Sequence, residues 1–175
     1  MKLAGKRIAL LIEDDYQVLE GWYPKLRMAE EGATVVVVGN GAKSVFTAKL
    51  GYEMAADAAA GDLSGADFDA VIVPGGYAPD HMRLCPAMVE LVRDAYRSGK
   101  LVAAICHGGW MLVSAGVCKG HRITGYASIK DDIVNAGGEW VDTEEVVCDG
   151  NVITSRTPLD LPAFTREIVQ HLAEA

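Results

Sequence analysis

This chain of 175 residues contains four short apolar runs, and each run is bounded by polar or turn residues. Apolar runs without alternation are typical of strands that a parallel sheet buries on both faces. A segment with helical spacing, from Leu19 to Glu31, separates the first two runs. We therefore predict an α/β fold, with a mostly parallel central sheet and helices on both faces. The runs are Lys6 to Ile12, Thr34 to Gly39, "FDAVIV" from position 68 and "KLVAAIC" from position 100.

Weaker patterns predict further elements around this sheet. No repeat, low-complexity tract or linker interrupts the sequence, so residues 1–175 are predicted to form a single domain. The further elements are a β-hairpin from Val45 to Ala56, helices from Pro86 to Ser98 and from Trp110 to Ala115, a fifth strand at "HRITGY" (121–126), a helix at "IKDDIVNAGG" (129–138), two strands around the Asp149–Gly150 turn and a helix from Leu159 to Leu172.

The composition argues against several classes of partner. The formal net charge is -8, and an acidic chain repels nucleic-acid phosphates, so we expect no nucleic-acid partner. The run "IALLI" is too short to span a membrane and no signal-cleavage pattern follows it, so we expect no membrane partner and a cytoplasmic location. No metal or cofactor is expected, because the cysteines lack zinc-ligand spacing and are predicted to be free thiols: Cys85, Cys106, Cys118 and Cys148.

Three loops that follow predicted strands contain most of the chemically active residues. They are "EDDYQVLE" after the first strand, "PGGYAPDH" after the third and "CHGG" after the fourth. Ligands of open α/β sheets bind outside the carboxyl ends of the strands. We therefore expect these loops to meet at one edge of the sheet and to form the functional site there.

Cys106 is the candidate nucleophile. The stretch "AICHG" from Ala104 to Gly108 parallels the turn in which a strand feeds sharply into a helix and projects a nucleophile from its tip. Small residues suit the positions two places before and after the cysteine, because the backbones of strand and helix pass close together. A thiol at a helix N-terminus is expected to have a lowered pKa. The alternative is a buried packing cysteine, since unpaired cysteine is among the most buried residue types.

Backbone N–H groups of the same loops are candidate oxyanion donors. The N–H of His107 follows the nucleophile, which is the usual position of one donor in such a turn. Gly75 and Gly76 of the "PGG" stretch leave their N–H groups uncovered and could supply the second. A simple turn at the glycines and a helix-capping role for His107 remain the alternatives.

Glu20 is the candidate acid of the site. It follows the loop of the first strand, and a carboxyl in a half-buried pocket tends to be protonated because burial disfavours its charge. A protonated Glu20 could donate a hydrogen bond to the thiolate of Cys106. The alternative is a solvated residue at the start of a helix.

Longer motifs resemble a known family. The stretches "PGGYAPDHMRL", "AAICHGGWMLVSAGVCKGHRITGY", "IKDDIVNAGGEWVD" and "DGNVITSR" occur in the order found in the PfpI-type intracellular protease and deglycase family, within the class I glutamine amidotransferase-like superfamily. The resemblance implies a flavodoxin-like sandwich with Cys106 as nucleophile and His107 beside it. It also implies that Glu20 hydrogen-bonds the sulfur and that the "PGG" stretch and His107 supply the oxyanion donors.

The resemblance extends to residues around the nucleophile. It implies a homo-oligomer, a dimer or larger, in which an acid shortly after "PGG" reaches across a subunit interface to orient the histidine. Asp80 holds that position here and is one methylene shorter than the glutamate of the family. Tyr126 and Trp110 are predicted to line the substrate pocket, where "HGGW" and "YAS" replace the family's "HGPQ" and "YPG".

These features predict an enzyme of the PfpI peptidase and deglycase type. The expected substrates are small carbonyl adducts on proteins or amino acids, with deglycase or glyoxalase-like chemistry, or peptides in an intracellular peptidase. The main alternative is a redox-sensing stress-response protein or holdase in which Cys106 is oxidised. Isonitrile or other C–N hydration, and a chain that has kept the fold and lost activity, are further alternatives.

Overall fold

The apolar runs become the strands of a central sheet in the computed structural model, which describes residues 1–175. The strands are β1 (Arg7–Leu11), β2 (Thr34–Gly39), β3 (Val45–Thr47), β4 (Glu53–Ala55), β5 (Ala58–Ala59), β6 (Ala70–Val73), β7 (Leu101–Ile105), β8 (Arg122–Ile123), β9 (Glu139–Trp140), β10 (Val146–Asp149) and β11 (Val152–Ser155). The helices are α1 (Val18–Glu30), α2 (Ala78–Met82), α3 (Pro86–Arg97), α4 (Gly109–Ala115), α5 (Lys130–Asn135) and α6 (Leu161–Glu174).

Seven strands form the main sheet in the order β10-β11-β7-β6-β1-β2-β5. Every neighbouring pair is parallel except β10 and β11, which form an antiparallel pair. Helix α1 packs against α6, while α3 packs against α4, so the helices form two groups around the sheet. The prediction of an α/β fold with a mostly parallel central sheet is confirmed.

Burial explains why the apolar runs form the centre of this sheet. All residues of β6 and β7 are buried, and β1 is buried from its second residue onward. Strands covered on both faces need apolar side chains at every position, which is what these runs provide. The strands and the inner helix faces share one connected hydrophobic core.

The helices follow their sequence signals. Helix α1 begins after Gln17, whose side-chain oxygen accepts hydrogen bonds from the N–H groups of Leu19 and Glu20, and it continues through Pro24. Helix α3 begins at Pro86, as predicted, since proline suits the first turn of a helix. No helix combines the length and the apolar character that crossing a bilayer requires.

The prediction of a fifth strand at 121–126 is only partly correct. The segment 121–126 does not join the main sheet as a fifth strand, because only Arg122–Ile123 is extended and it pairs with β9 in a separate two-stranded sheet. The backbone beyond it has other partners, since Thr124 N–H donates to Thr154 Oγ1 and Tyr126 N–H donates to Cys106 O. The two strands predicted around the Asp149–Gly150 turn are confirmed as β10 and β11, and the short strand β9 precedes them.

The short elements divide between confirmed and missed predictions. The predicted hairpin from Val45 to Ala56 is confirmed as the antiparallel pair of β3 and β4. Strand β5 was not predicted, because two alanines carry no strand pattern. Helix α2 forms within the predicted loop "PGGYAPDH", where Pro79 occupies an early helical position.

Gly65 tests the close packing of the core. It begins a 3₁₀ turn against α3, and a Cβ added there would clash with the backbone of Leu91 and Ala95. We expect Gly65→Ala to lower the free energy of unfolding by about 2–3 kcal/mol in urea denaturation, because backbone cannot give way as a side-chain tip can. The matched control is Gly61→Ala, where the nearest atom to the added Cβ lies 4.0 Å away. Equal stabilities of the two variants would contradict this account of the packing.

Candidate active site

The three predicted loops meet at the carboxyl edge of the sheet. The backbone of the loop after β1 pairs with the "PGG" stretch after β6, since Gln17 N–H donates to Gly75 O (3.1 Å) and Tyr77 N–H donates to Asp15 O (2.9 Å). The loop after β7, which begins at Cys106, lies beside this pair because β6 and β7 are neighbours. Parallel strands therefore bring the three loops to one place, as expected.

Cys106 occupies the predicted strand-to-helix corner. Its φ is +59°, which is uncommon for a residue with a side chain. A 3₁₀ turn, Cys106–Gly108, connects β7 directly to α4. Gly108 is required in this turn because an added Cβ would lie 2.6 Å from Val73 O. Cys106 is 8% exposed, so it is neither fully packed into the core nor open to bulk solvent.

Two backbone N–H groups favour the ionised form of the Cys106 thiol. The N–H groups of His107 and Gly76 lower its pKa, against the larger effect of burial. Gly76 has a φ of +78°, which is a conformation that glycine adopts readily. Gly75 differs from the expectation, because its N–H donates to Glu20 Oε2 (2.8 Å) and is not free to bind an oxyanion.

Glu20 lies beneath this corner with no exposed surface. Its Oε2 accepts the hydrogen bond from the N–H of Gly75, while Oε1 has no hydrogen-bond partner, and the nearby Cys106 thiol acts to lower the pKa of the carboxyl. Burial raises the pKa of Glu20 from 4.5 to about 7, against the opposing effect of the Gly75 N–H. The alternative interpretation of Glu20, as a solvated residue at the start of a helix, is therefore wrong.

The surroundings of Cys106 disfavour ionisation of its thiol. Burial, followed by the negative charge of Glu20, raises the pKa of Cys106 to about 12. The expectation of a lowered pKa is wrong, because desolvation outweighs the hydrogen bonds from Gly76 and His107. Helix α4 also begins three residues beyond the sulfur, so its dipole contributes little.

His107 turns its ring towards Cys106, although the two residues are adjacent in the sequence. Its Nδ1 lies 3.3 Å from Cys106 Sγ, and its Nε2 lies 3.1 Å from Ser128 Oγ. The ring stacks on Tyr126, with centroids 4.9 Å apart and planes at 26°. Burial lowers the pKa of His107, so the imidazole is neutral at pH 7 and can accept a proton. Sequence reasoning missed Ser128, although the "YAS" stretch contained it.

A cleft of about 520 Å³ opens onto the sulfur. Sequence reasoning predicted Tyr126 in its wall but missed Lys49, which follows β3, and Pro158. Trp110 was predicted to line the cleft, but it does not. Its indole meets the edge of the His107 ring and donates a hydrogen bond to Asp132 Oδ2 (2.8 Å). The lining residues are Asp15, Gln17, Glu20, Lys49, Gly76, Tyr77, Cys106, His107, Tyr126 and Pro158.

Asp80 does not contact His107 within the chain. It lies on α2 beside Tyr77, and its carboxylate raises the pKa of that phenol through a hydrogen bond and its charge. Nε2 of the neighbouring His81 lies 3.4 Å from Asp15 Oδ2. The role of Asp80 across a subunit interface stays a prediction.

The remaining titratable side chains form no metal site. No group of three or more His, Cys, Asp or Glu side chains is arranged to hold a metal ion. All four cysteines are free thiols, and only Cys106 lines the cleft.

The buried Glu20 carboxyl makes the stability of the fold depend on pH. Its pKa is higher in the folded than in the unfolded chain, so its contribution is complete below pH 4.5 and is lost as pH rises through about 7. We expect wild type to lose about 3 kcal/mol of unfolding free energy relative to Glu20→Gln between these pH values. Urea denaturation at several pH values measures this loss, and Glu30→Gln, exposed on the same helix, is the control. A constant difference between wild type and Glu20→Gln would contradict the burial of an ionisable carboxyl.

Known proteins resemble this chain in both sequence and structure. The deglycase PfpI of Pyrococcus furiosus is 43% identical over 166 residues, which cover 95% of this chain and 99% of that protein. The protein/nucleic acid deglycase 2 of Escherichia coli is 39% identical over 169 residues, which cover 96% of this chain and 98% of that protein.

A solved structure gives the same result. The crystal structure of a two-domain protein of Anabaena variabilis, with DJ-1/ThiJ/PfpI-like and ferritin-like domains, aligns with a TM-score of 0.93 at 40% identity. The alignment covers 95% of this chain and 50% of that one. The model of the DJ-1/PfpI family matches residues 6–171. The chain therefore belongs to the DJ-1/PfpI family and has its flavodoxin-like fold, as the resemblance implied.

Proposed function

We propose that this protein is a deglycase-type cysteine hydrolase that removes small carbonyl adducts from the amino groups or thiols of proteins or amino acids. One observation carries the proposal. The sulfur of Cys106 lies at the base of a cleft, within reach of an imidazole nitrogen and of two backbone N–H groups. The names of the two relatives, both deglycases, support the class of reaction.

The first step is removal of the thiol proton. Because the resting thiol is protonated, a base must take its proton as the sulfur attacks the substrate. His107 Nδ1 is that base, since it lies 3.3 Å from the sulfur and belongs to a neutral imidazole. As the oxyanion collapses and the bond between the attacked carbon and the nitrogen or sulfur of the adduct breaks, the same nitrogen returns the proton to that departing atom. Water then hydrolyses the bond between the carbon and Sγ, which frees Cys106.

The second step is stabilisation of the developing oxyanion. When the sulfur bonds to the carbonyl carbon, the π electrons of the carbonyl move to its oxygen. The N–H groups of Gly76 and His107 face the sulfur and can donate to this oxygen. Each such donor is worth about 3 kcal/mol of transition-state stabilisation in comparable sites.

Glu20 sets the electrostatic conditions for both steps. In its protonated form, Oε1–H has no other acceptor and donates to the sulfur as negative charge develops there. In its ionised form, which dominates above pH 7, the carboxylate repels that charge. Glu20 therefore assists the reaction only while it holds its proton.

The cleft favours small substrates. A volume of about 520 Å³ fits one side chain that carries a small carbonyl adduct. Asp15 and Lys49 in the cleft wall give it one negative and one positive side chain, which suits polar adducts. The redox alternative needs a resting thiolate, which both burial and the charge of Glu20 disfavour.

Cys106→Ala tests the proposed nucleophile. We expect wild type to release free amino acid from a methylglyoxal adduct of arginine or cysteine, and the variant to lose at least about a thousandfold in kcat. Liquid chromatography of the products measures the release, and Cys148→Ala is the control because that thiol lies outside the cleft. Turnover by Cys106→Ala would refute the assignment, and absence of turnover in wild type would refute the activity.

Glu20→Gln tests the electrostatic role without needing a substrate. The glutamine can still accept the Gly75 hydrogen bond but carries no charge, so the pKa of Cys106 should fall. We therefore expect iodoacetamide to alkylate Cys106 faster in this variant than in wild type above pH 7, by about tenfold or more. Glu30→Gln should react like wild type. Slower alkylation of Glu20→Gln above pH 7 would show that the charge of Glu20 does not suppress the thiolate.

A further inference from the structure

Ser128 forms a contact with His107 that the proposed mechanism does not yet use. Its hydroxyl oxygen lies 3.1 Å from Nε2, on the opposite side of the ring from the nitrogen that faces Cys106. The ring is also held between Tyr126, on which it stacks, and Trp110, which meets it edge-on. The two aromatic contacts restrict the plane of the ring, but hydrogen bonds decide which nitrogen faces the sulfur.

The backbone fixes the position of Ser128 relative to the nucleophile. Ser128 lies in a 3₁₀ turn, Ala127–Ile129, that begins after Tyr126. The N–H of Tyr126 donates to the carbonyl oxygen of Cys106 itself (3.2 Å). Ile129, which follows Ser128, is fully buried and packs against Gly109 at the start of α4. The serine is thus tied at both sides to the corner that carries the sulfur.

We propose that Ser128 is the positioning residue for His107: its hydroxyl accepts the hydrogen bond of Nε2–H and thereby keeps Nδ1 unprotonated and directed at Cys106. This inference rests on the proposed function, in which Nδ1 is the base. The proton balance is simple. Nδ1 takes the thiol proton and later returns it to the departing atom, while Nε2 keeps its own proton throughout.

A hydroxyl partner has a different electrostatic effect from a carboxylate. An acid at Nε2 would stabilise the imidazolium and raise the pKa of His107, as in triads that contain aspartate. A neutral hydroxyl orients the ring without that charge, and burial then keeps the imidazole neutral. The arrangement fits a site whose resting state is a neutral thiol beside a neutral base.

The charged groups near His107 do not supply such an acid within the chain. Neither ring nitrogen hydrogen-bonds a carboxylate, because Nδ1 faces Cys106 and Nε2 faces Ser128. The titratable and charged groups around the ring are Cys106, Glu20, Asp15, Lys49, Tyr77 and Tyr126 in the cleft, with Arg83 and Asp132 on the far side of Trp110.

Two substitutions at Ser128 separate orientation from charge. Ser128→Ala removes the partner of Nε2, and we expect kcat to fall about tenfold with little change in KM. We also expect slower alkylation of Cys106. Ser128→Asp places an acid at the same nitrogen, so the pKa of His107 should rise by about one or more, as followed by NMR titration of the ring. The rise of Cys106 alkylation should then shift to lower pH, because an imidazolium stabilises the thiolate.

Matched controls place the same changes elsewhere. Ser98 is exposed beyond the end of α3, at the opposite edge of the sheet from Cys106, so Ser98→Ala and Ser98→Asp should behave like wild type. If Ser128→Asp leaves both the His107 titration and the alkylation profile unchanged, the proposal is overturned. It is also overturned if Asp80→Asn, and not Ser128→Ala, slows alkylation. Neither measurement needs a substrate, so they test Ser128 even where the deglycase activity fails.

Discussion

The buried carboxyl of Glu20 holds the parts of the site together. Through Oε2 it fixes the N–H of Gly75, and this contact joins the first turn of α1 to the end of β6. The N–H of the next residue, Gly76, favours the ionised form of the Cys106 thiol. This contact places an ionisable group, with Oε1 lacking a good hydrogen bond, where the chain excludes water. A group of this kind weakens the fold as it ionises, which is a common cost of functional sites.

The corner at Cys106 depends on equally tight packing. A residue with φ of +59° persists only where its surroundings determine the backbone, and here β7 ends directly in a turn that contacts Val73 of β6. The same turn exposes the N–H of His107 to the sulfur and lets the carbonyl of Cys106 accept the N–H of Tyr126. One strained residue thus positions a thiol, a donor and the segment that carries Ser128.

The sequence allowed prediction of whatever depends on local pattern. The runs that became β1, β2, β6 and β7 were recognisable because strands buried on both faces need apolar residues throughout. The "AICHG" corner was recognisable because its glycine has no room for a side chain. Three features could not be predicted, because they depend on how distant segments approach one another. They are the hydrogen bond of Gly75, the position of Trp110 and the contact of Ser128 with His107. The prediction of a lowered pKa for Cys106 failed for the same reason, because burial is a property of the whole fold.

The protonation states of the site form one consistent arrangement. Glu20 and Cys106 are too close for both to ionise easily, so burial favours a thiol when the carboxyl is charged. His107 is neutral because burial disfavours the imidazolium, and a hydroxyl at Nε2 does not offset that effect. Under the proposed mechanism, the thiol gives up its proton only as the substrate oxygen takes up the negative charge between two N–H groups.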